Sequence, residues 1–249
     1  MPDLATLTTS GRIATLTLNR PDARNALSID LLGSLHAHAD TLPKRDDISV
    51  LVLTGAGKSF CAGMDLKAVL DDPAAPRRLL HLLADFTVKL RALPMVTLAK
   101  VNGAAIGGGC GLACVCDIAI THGDSKMGYP EVDLGVCPAV VAPWLVRKIG
   151  AGQARRVLLM GGLMTGQQAF EIGMVDQVVA GVGDLDAAAD TLAQRLGQGG
   201  PHALRATKQL LNTIDGSSDA ALVKRGADLS ADVVATTQTQ QMLRAKLGK

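Results

Sequence analysis

The chain reads as an α/β protein in which short strands alternate with helices before a purely helical end. Three observations carry this. Two runs rich in apolar and β-branched residues, Ile48–Leu53 and Met95–Val101, have the length of buried strands. Each runs into a glycine-containing turn, and helical apolar spacing follows further on. From Asp184 onward the spacing stays helical, in segments 184–197, 201–213 and about 217–247, broken by Gly and Pro. At 249 residues the chain can bury one large core, or one core with an appendage.

In order, Leu4–Thr9 and Arg12–Leu18 alternate apolar and polar residues around Ser10-Gly11, which predicts a β-hairpin. Asn19–Asn25 is a polar loop. Ser28 is placed to cap a helix whose apolar stripe is Leu31, Leu32, Leu35, Ala39 and Leu42, ending near Pro43. His36 and His38 on that helix are read as surface or packing residues. Asp71–Pro76 is a polar, Pro-containing loop, and Arg77–Leu93 follows as a helix with Leu79, Leu80, Leu83, Phe86, Leu90 and Leu93. Pro138–Gly150 is an apolar stretch, Ala151–Gly161 a helix, and Thr165–Ile172 a short helix with capping-box spacing closed by Gly173. Val175–Ala180 is the last strand.

Composition excludes several function classes. Apolar residues make up 48% and charged residues 19%, the mark of a globular chain rather than a disordered one. With five aromatic residues and a net charge of +2, neither a stacking platform nor a basic face for nucleic acid is expected. No apolar run reaches the ~18 residues of a membrane span, and MPDLATLTT has neither the basic nor the apolar part of a signal peptide. Five cysteines, an odd number, most in apolar surroundings, fit reduced thiols in a cytoplasm better than a disulfide framework. Cys110, Cys114 and Cys116 match no common zinc spacing and have no His cluster beside them, so no metal is expected. Gly55-Ala56-Gly57-Lys58-Ser59 lacks the first glycine of a phosphate-binding loop, since position 52 is Val. Gly107-Gly108-Gly109 fails the dinucleotide fingerprint at Leu112.

The stretch with chemical content is Val101–Ala142. Three glycines precede a small, apolar helix over Cys110–Cys116. The first N–H groups of a helix have no internal partner and lie at the positive end of its dipole, so this place can hold negative charge developing on a carbonyl oxygen. Further on, Pro130-Glu131-Val132 sets a carboxylate between apolar neighbours, a candidate proton-transfer group.

Four segments then fall in one order: Leu18-Asn19-Arg20-Pro21 with Arg24-Asn25-Ala26-Leu27, Leu53–Leu66 (LTGAGKSFCAGMDL), the glycine triplet, and PEVDLG. Together, over roughly residues 12–180, they resemble the crotonase superfamily of enoyl-CoA hydratases and isomerases. The resemblance implies a spiral of repeated ββα units with a C-terminal helical oligomerisation subdomain. It divides the chain into a core that binds coenzyme A and carries the active site, 1–190, and a helical region, 191–249. It implies an acyl-CoA substrate, trimers or hexamers, no membrane or nucleic-acid partner, and no cofactor beyond the coenzyme A of the substrate. The backbone N–H groups of Met64 and Gly108 match the oxyanion hole, Glu131 the general acid–base, and Arg24, Ala26, Ala62, Asp65 and Leu66 the coenzyme A loops.

One departure bears on the reaction. The usual hydratase has a second glutamate two residues after the glycine triplet, and here that residue is Gly111. A single carboxylate suits a double-bond isomerase. Yet Gly111 together with PAVVAPWLVRKIG resembles bacterial methylglutaconyl-CoA-hydratase-like members, which also have glycine there and Pro-Ala in place of Pro-Gly-Ala-Gly-Gly. The expectation is hydration of a 2-enoyl-CoA, with isomerisation through Glu131 alone and a non-catalytic acyl-CoA-binding protein as alternatives. Gly111, Asp133 and Ala139 are expected at the substrate pocket, Asp133 as a group that positions water. The tail from Thr236 lacks the usual Glu-Gly and aromatic residue.

Overall fold

A computed structural model describes residues 3–69, 72 and 74–247. The polar loop expected at Asp71–Pro76 lies partly outside them. The strands and helices, in chain order, are β1 (Ala5–Ser10), β2 (Ile13–Leu18), α1 (Ile29–Thr41), β3 (Val50–Gly55), β4 (Ser59–Cys61), α2 (Leu66–Val69), α3 (Ala75–Ala92), β5 (Val96–Val101), β6 (Ala104–Ile106), α4 (Gly108–Val115), β7 (Ile118–His122), β8 (Lys126–Gly128), α5 (Ala142–Met160), β9 (Leu163–Thr165), α6 (Gly166–Glu171), β10 (Gln177–Val179), α7 (Val182–Gly197), α8 (Pro201–Ile214), α9 (Ala221–Ala235) and α10 (Thr237–Leu247).

The strands form two sheets. The larger has the order β1-β2-β3-β5-β7-β10, parallel except for the β1–β2 hairpin. Its side chains alternate between two cores, as the pleat requires. Leu51 and Leu53 of β3 face the main core with α1, α3 and α4, while Val50 and Val52 join Leu98 and Ile120 against Leu185, Ala189 and Ala193 of α7. Both faces are covered, so the sequence of β3 is apolar without interruption. Helix α7 runs unbroken through residue 190.

The smaller sheet has the order β4-β6-β8-β9; its first three strands are parallel. These run in one direction and end at Cys61, Ile106 and Gly128, so the three segments singled out in the sequence emerge side by side. The helix expected from Cys110 starts two residues earlier, at Gly108, and a break inside α5 falls at Gly150 (φ 78°, ψ 157°), where the sequence places it. The segment about 217–247 is two helices, α9 and α10, separated at Thr236.

The helical end is tied to the core by a buried charge cluster. Lys208 of α8, 6% exposed, donates to Met95 O at 2.9 Å and lies 2.8 Å from the Asp117 carboxylate. Asp117 also accepts from Thr97 N, Thr97 Oγ1 and Arg91 Nη1. A buried ammonium tolerates such a place only when paired this fully. Helix α9 lies along α3, with Arg77 bonded to Asp228 and Asp232. Among the described residues no helix is long and apolar enough to cross a membrane, and no three His, Cys, Asp or Glu side chains gather to hold a metal ion.

Candidate active site

Glu131 sits just past β8, 8% exposed. Burial pushes its carboxyl up from 4.5 to about 7, because the charged form loses hydration that no cation replaces. Its Oε2 is buried without a hydrogen-bond partner. A buried side-chain oxygen without a protein partner is costly, and a catalytic role is one of the explanations such an atom calls for.

The residue opposite is Gly107, with φ 53° and ψ −117°, a conformation open to glycine. A Cβ there would lie 2.6 Å from Glu131 Oε1. Gly107 donates its own N–H to Gly128 O at 2.8 Å, which ties the turn to β8. Gly108 then opens α4, with no side chain capping the helix. Its N–H therefore belongs to the uncompensated first turn. Gly109 packs against Cys61 of β4, so the triplet serves close helix–strand packing as well as the turn.

Met64 reaches the same place from β4. It bridges Leu27, whose N–H donates to Gly63 O and whose carbonyl accepts from Asp65 N–H. The groups flanking Met64 thus face Leu27, and the alternation of a β-ladder turns its own N–H the other way. Met64, Gly108 and Glu131 line one narrow cleft, walled by Leu80 and Leu83 of α3, Cys137, Pro138, Val140 and Val141, and Ser230 of α9. Three of the residues that the sequence singles out, from separate segments, are thereby brought together.

The loops expected to take coenzyme A are also adjacent. Ala62 N–H donates to Arg24 O, and Arg20 Nη1 bridges them further, to Asp65 Oδ2 at 2.7 Å and Ala26 O at 3.1 Å. The N–H groups of Arg24, Ala26, Ala62, Asp65 and Leu66 are all engaged within the chain. Arg24 and Asn25 both have positive φ, 53° and 56°, and the buried Asn25 amide donates to Ala56 O and Ser59 O, holding the loop in that shape.

Three expected pocket residues stand elsewhere. The Asp133 carboxylate turns to the Gly161–Gly162 turn, accepting Gly162 N–H at 2.9 Å, and is not part of the cleft wall. Ala139 lies on an outer apolar groove with Val146, Leu222 and Leu229. Its N–H donates to Ser230 Oγ. Gly111 faces the side chain of Val141, which stands between it and the cleft. Val141, Cys137 and Ser230 are wall residues that the sequence does not disclose. The signal available was the Pro-Ala-Val-Val run itself, where small glycines are usual. The tail, by contrast, braces the turn after Glu131: Thr239 Oγ1 donates to Gly135 O, and Lys246 Nζ bonds to Asp133 O.

The buried thiols are packing groups. Cys61, Cys110, Cys114 and Cys116 are free and buried, and Tyr129 O–H donates to Cys114 Sγ at 3.4 Å. Cys137 is half-buried in the cleft wall, and burial raises its thiol.

The family described as Enoyl-CoA hydratase/isomerase matches residues 8–246 of the chain. An enoyl-CoA hydratase of Alternaria alternata, AKT6-1, is 37% identical over 203 residues, 81% of this chain and 67% of its own. The 2,3-dehydroadipyl-CoA hydratase of Escherichia coli K12 is 36% identical over 201 residues, 80% of this chain and 78% of its own. A solved enoyl-CoA hydratase/isomerase from Xanthobacter autotrophicus Py2 shares the fold with a TM-score of 0.88 at 29% identity, covering 98% of this chain and 96% of that one.

Proposed function

The chain belongs to the enoyl-CoA hydratase/isomerase family of the crotonase superfamily, an enzyme of that kind, and from this we propose that it adds water to the double bond of a 2-enoyl-CoA thioester. The observation that carries the reading is the buried Glu131 carboxylate, its Oε2 without a partner, in one cleft with the amide-bearing residues Met64 and Gly108.

In this reading the thioester oxygen accepts from the N–H groups of Met64 and Gly108. Losing one such donor in other enzymes costs about 3–4 kcal/mol of transition-state stabilisation. Glu131 takes a proton from water as the water oxygen bonds to Cβ, and the double-bond pair moves onto the thioester oxygen as an enolate. The carbonyl re-forms as Glu131 returns the proton to Cα. One group serves both steps because its pKa, about 7, lets it hold and release a proton near neutrality. The reaction needs no cofactor beyond the substrate's coenzyme A, which the loops at Arg24, Ala26, Ala62, Asp65 and Leu66 would cradle.

A second reading, isomerisation between the 3-enoyl and 2-enoyl thioesters, is favoured by Gly111, which leaves Glu131 as the one carboxylate lining the cleft among the described residues. Wild type and Glu131→Gln, each offered short 2-enoyl-CoA and 3-enoyl-CoA, separate the two. Hydration predicts loss of conjugated-thioester absorbance from the first substrate, abolished in the variant; a gain of that absorbance from the second means isomerisation. Tight acyl-CoA binding with no reaction would instead leave a binding protein.

The proposal extends to a trimer, or a hexamer of paired trimers, in the cytoplasm. The core would be 1–190 and the oligomerising helices 191–249. Leu210, Leu211 and Ile214 of α8, at 60%, 53% and 72% exposure, support a partner for that region.

A further inference from the structure

Gly111 and Val141 interlock. A Cβ on Gly111 would fall on Val141 Cγ1 and within 2.7 Å of Val141 Cβ. Val141 is 2% exposed and lines the cleft. It is fixed there by the turn that begins α5, its N–H donating to Pro138 O, with Ala142 N–H bonded to the same oxygen. A β-branched side chain has little rotamer freedom with which to give way. The remaining polar groups of the wall offer no second acid. The Ser230 hydroxyl donates to Cys137 O and accepts from Ala139 N–H, and burial holds the Cys137 thiol protonated.

We infer that Val141 is a specificity-determining residue: its isopropyl group takes the space that a side chain at position 111 would need, keeps the cleft to one carboxylate, and forms the apolar wall against which the acyl chain packs. The inference rests on the acyl-CoA reading of the site for the identity of the ligand, and not on which reaction follows. Its consequence is that position 111 cannot regain an acid on its own, because Val141 has to shrink with it.

Two measurements test this. In thermal unfolding of Gly111→Ala, Val141→Gly and the double variant, Gly111→Ala in the wild-type background lowers Tm by about 5 °C, as overpacking does. In the Val141→Gly background the same change costs little. Calorimetric binding of butyryl-CoA and isovaleryl-CoA, which carry no double bond and do not react, is then compared in wild type and Val141→Ala. Removing two methyls shifts the ratio of dissociation constants toward the β-branched chain by about fourfold, the scale of one methylene's burial. Additive Tm losses overturn the interlock. A binding ratio unchanged by Val141→Ala overturns the specificity role. Because neither ligand is turned over, a failure of hydration leaves these outcomes readable.

Discussion

Gly107 and Glu131 stand so close that a Cβ on the glycine would lie 2.6 Å from Oε1 of the carboxylate. The contact, at the foot of α4, sets where the carboxylate sits relative to the Met64 and Gly108 amides proposed to hold the oxyanion. Gly107→Ala therefore displaces Glu131 and strains a backbone held at φ 53°. A displacement near 1 Å costs about 100-fold in turnover. Steady-state kinetics with a 2-enoyl-CoA should show that fall mainly in kcat. A variant with wild-type kcat would mean that the carboxylate's position is not critical.

Glu131 also makes stability depend on pH. Its carboxyl titrates at about 7 when folded, against 4.5 for the free side chain. Between those values the folded chain holds a proton that the unfolded chain has lost, so stability is full below about 4.5 and falls as pH rises to about 7. The loss is about 3 kcal/mol, at the rate of 1.36 kcal/mol per unit. Glu131→Gln removes it. Denaturant unfolding should find the variant more stable than wild type at pH 8 and close to it at pH 4.5; equal pH slopes for both would contradict the burial argument.

In the proposed reaction the same group governs rate in the opposite direction. In the proposed hydration the ionised carboxylate accepts the proton from water, so kcat/KM should rise about tenfold per pH unit below 7 and level off above it. A profile flat from pH 5.5 to 8.5 would remove Glu131 from the proton transfer.

The Arg20–Asp65 pair, 2.7 Å apart, joins the two loops proposed to hold coenzyme A. Asp65→Asn weakens a charged hydrogen bond between partly exposed groups. KM for the thioester should rise several-fold, up to about tenfold, with kcat little changed. A change confined to kcat would mean that these loops align the reacting atoms rather than bind the carrier.

Lys208→Met leaves Asp117 short of one buried cation and Met95 O without its donor. Breaking one partner of a buried pair costs about 3–5 kcal/mol, here eased by Arg91, which still bonds Asp117. Thermal unfolding should register a loss of about 2 kcal/mol or more, while activity at low temperature persists. Unaltered stability would mean that α8 docks without this cluster.

What the sequence discloses is uneven, for physical reasons. That Glu131, Met64 and Gly108 meet in one cleft was legible because the motifs that carry the family resemblance hold all three in one order. The buried strand β3 was legible because it is apolar on both faces. Strands β4, β6, β8 and β9 were not, since three residues are too few to show a period. The direction of Asp133 was not legible either: two residues from Glu131, it turns to Gly162, a contact set by a distant turn. Nor could Gly111 be read as filled by Val141, which is 30 positions away in the chain and meets it only after α4 and α5 pack.

Strands β4, β6 and β8 lead, in one direction and on one hydrogen-bonded sheet, into Met64, Gly108 and Glu131. The wall they face comes from other places: Leu80 and Leu83 from α3, Val140 and Val141 from the turn before α5, Ser230 from α9. The proposed reacting groups and the proposed admitting surface are thus mounted on separate supports. Under the proposed function, substitutions in the wall can change which acyl group enters while the spacing of amides and carboxylate is inherited intact. New substrates are therefore reachable by single steps in α3, α9 or the 138–141 turn, whereas a change of chemistry demands that the sheet's own ends be rebuilt.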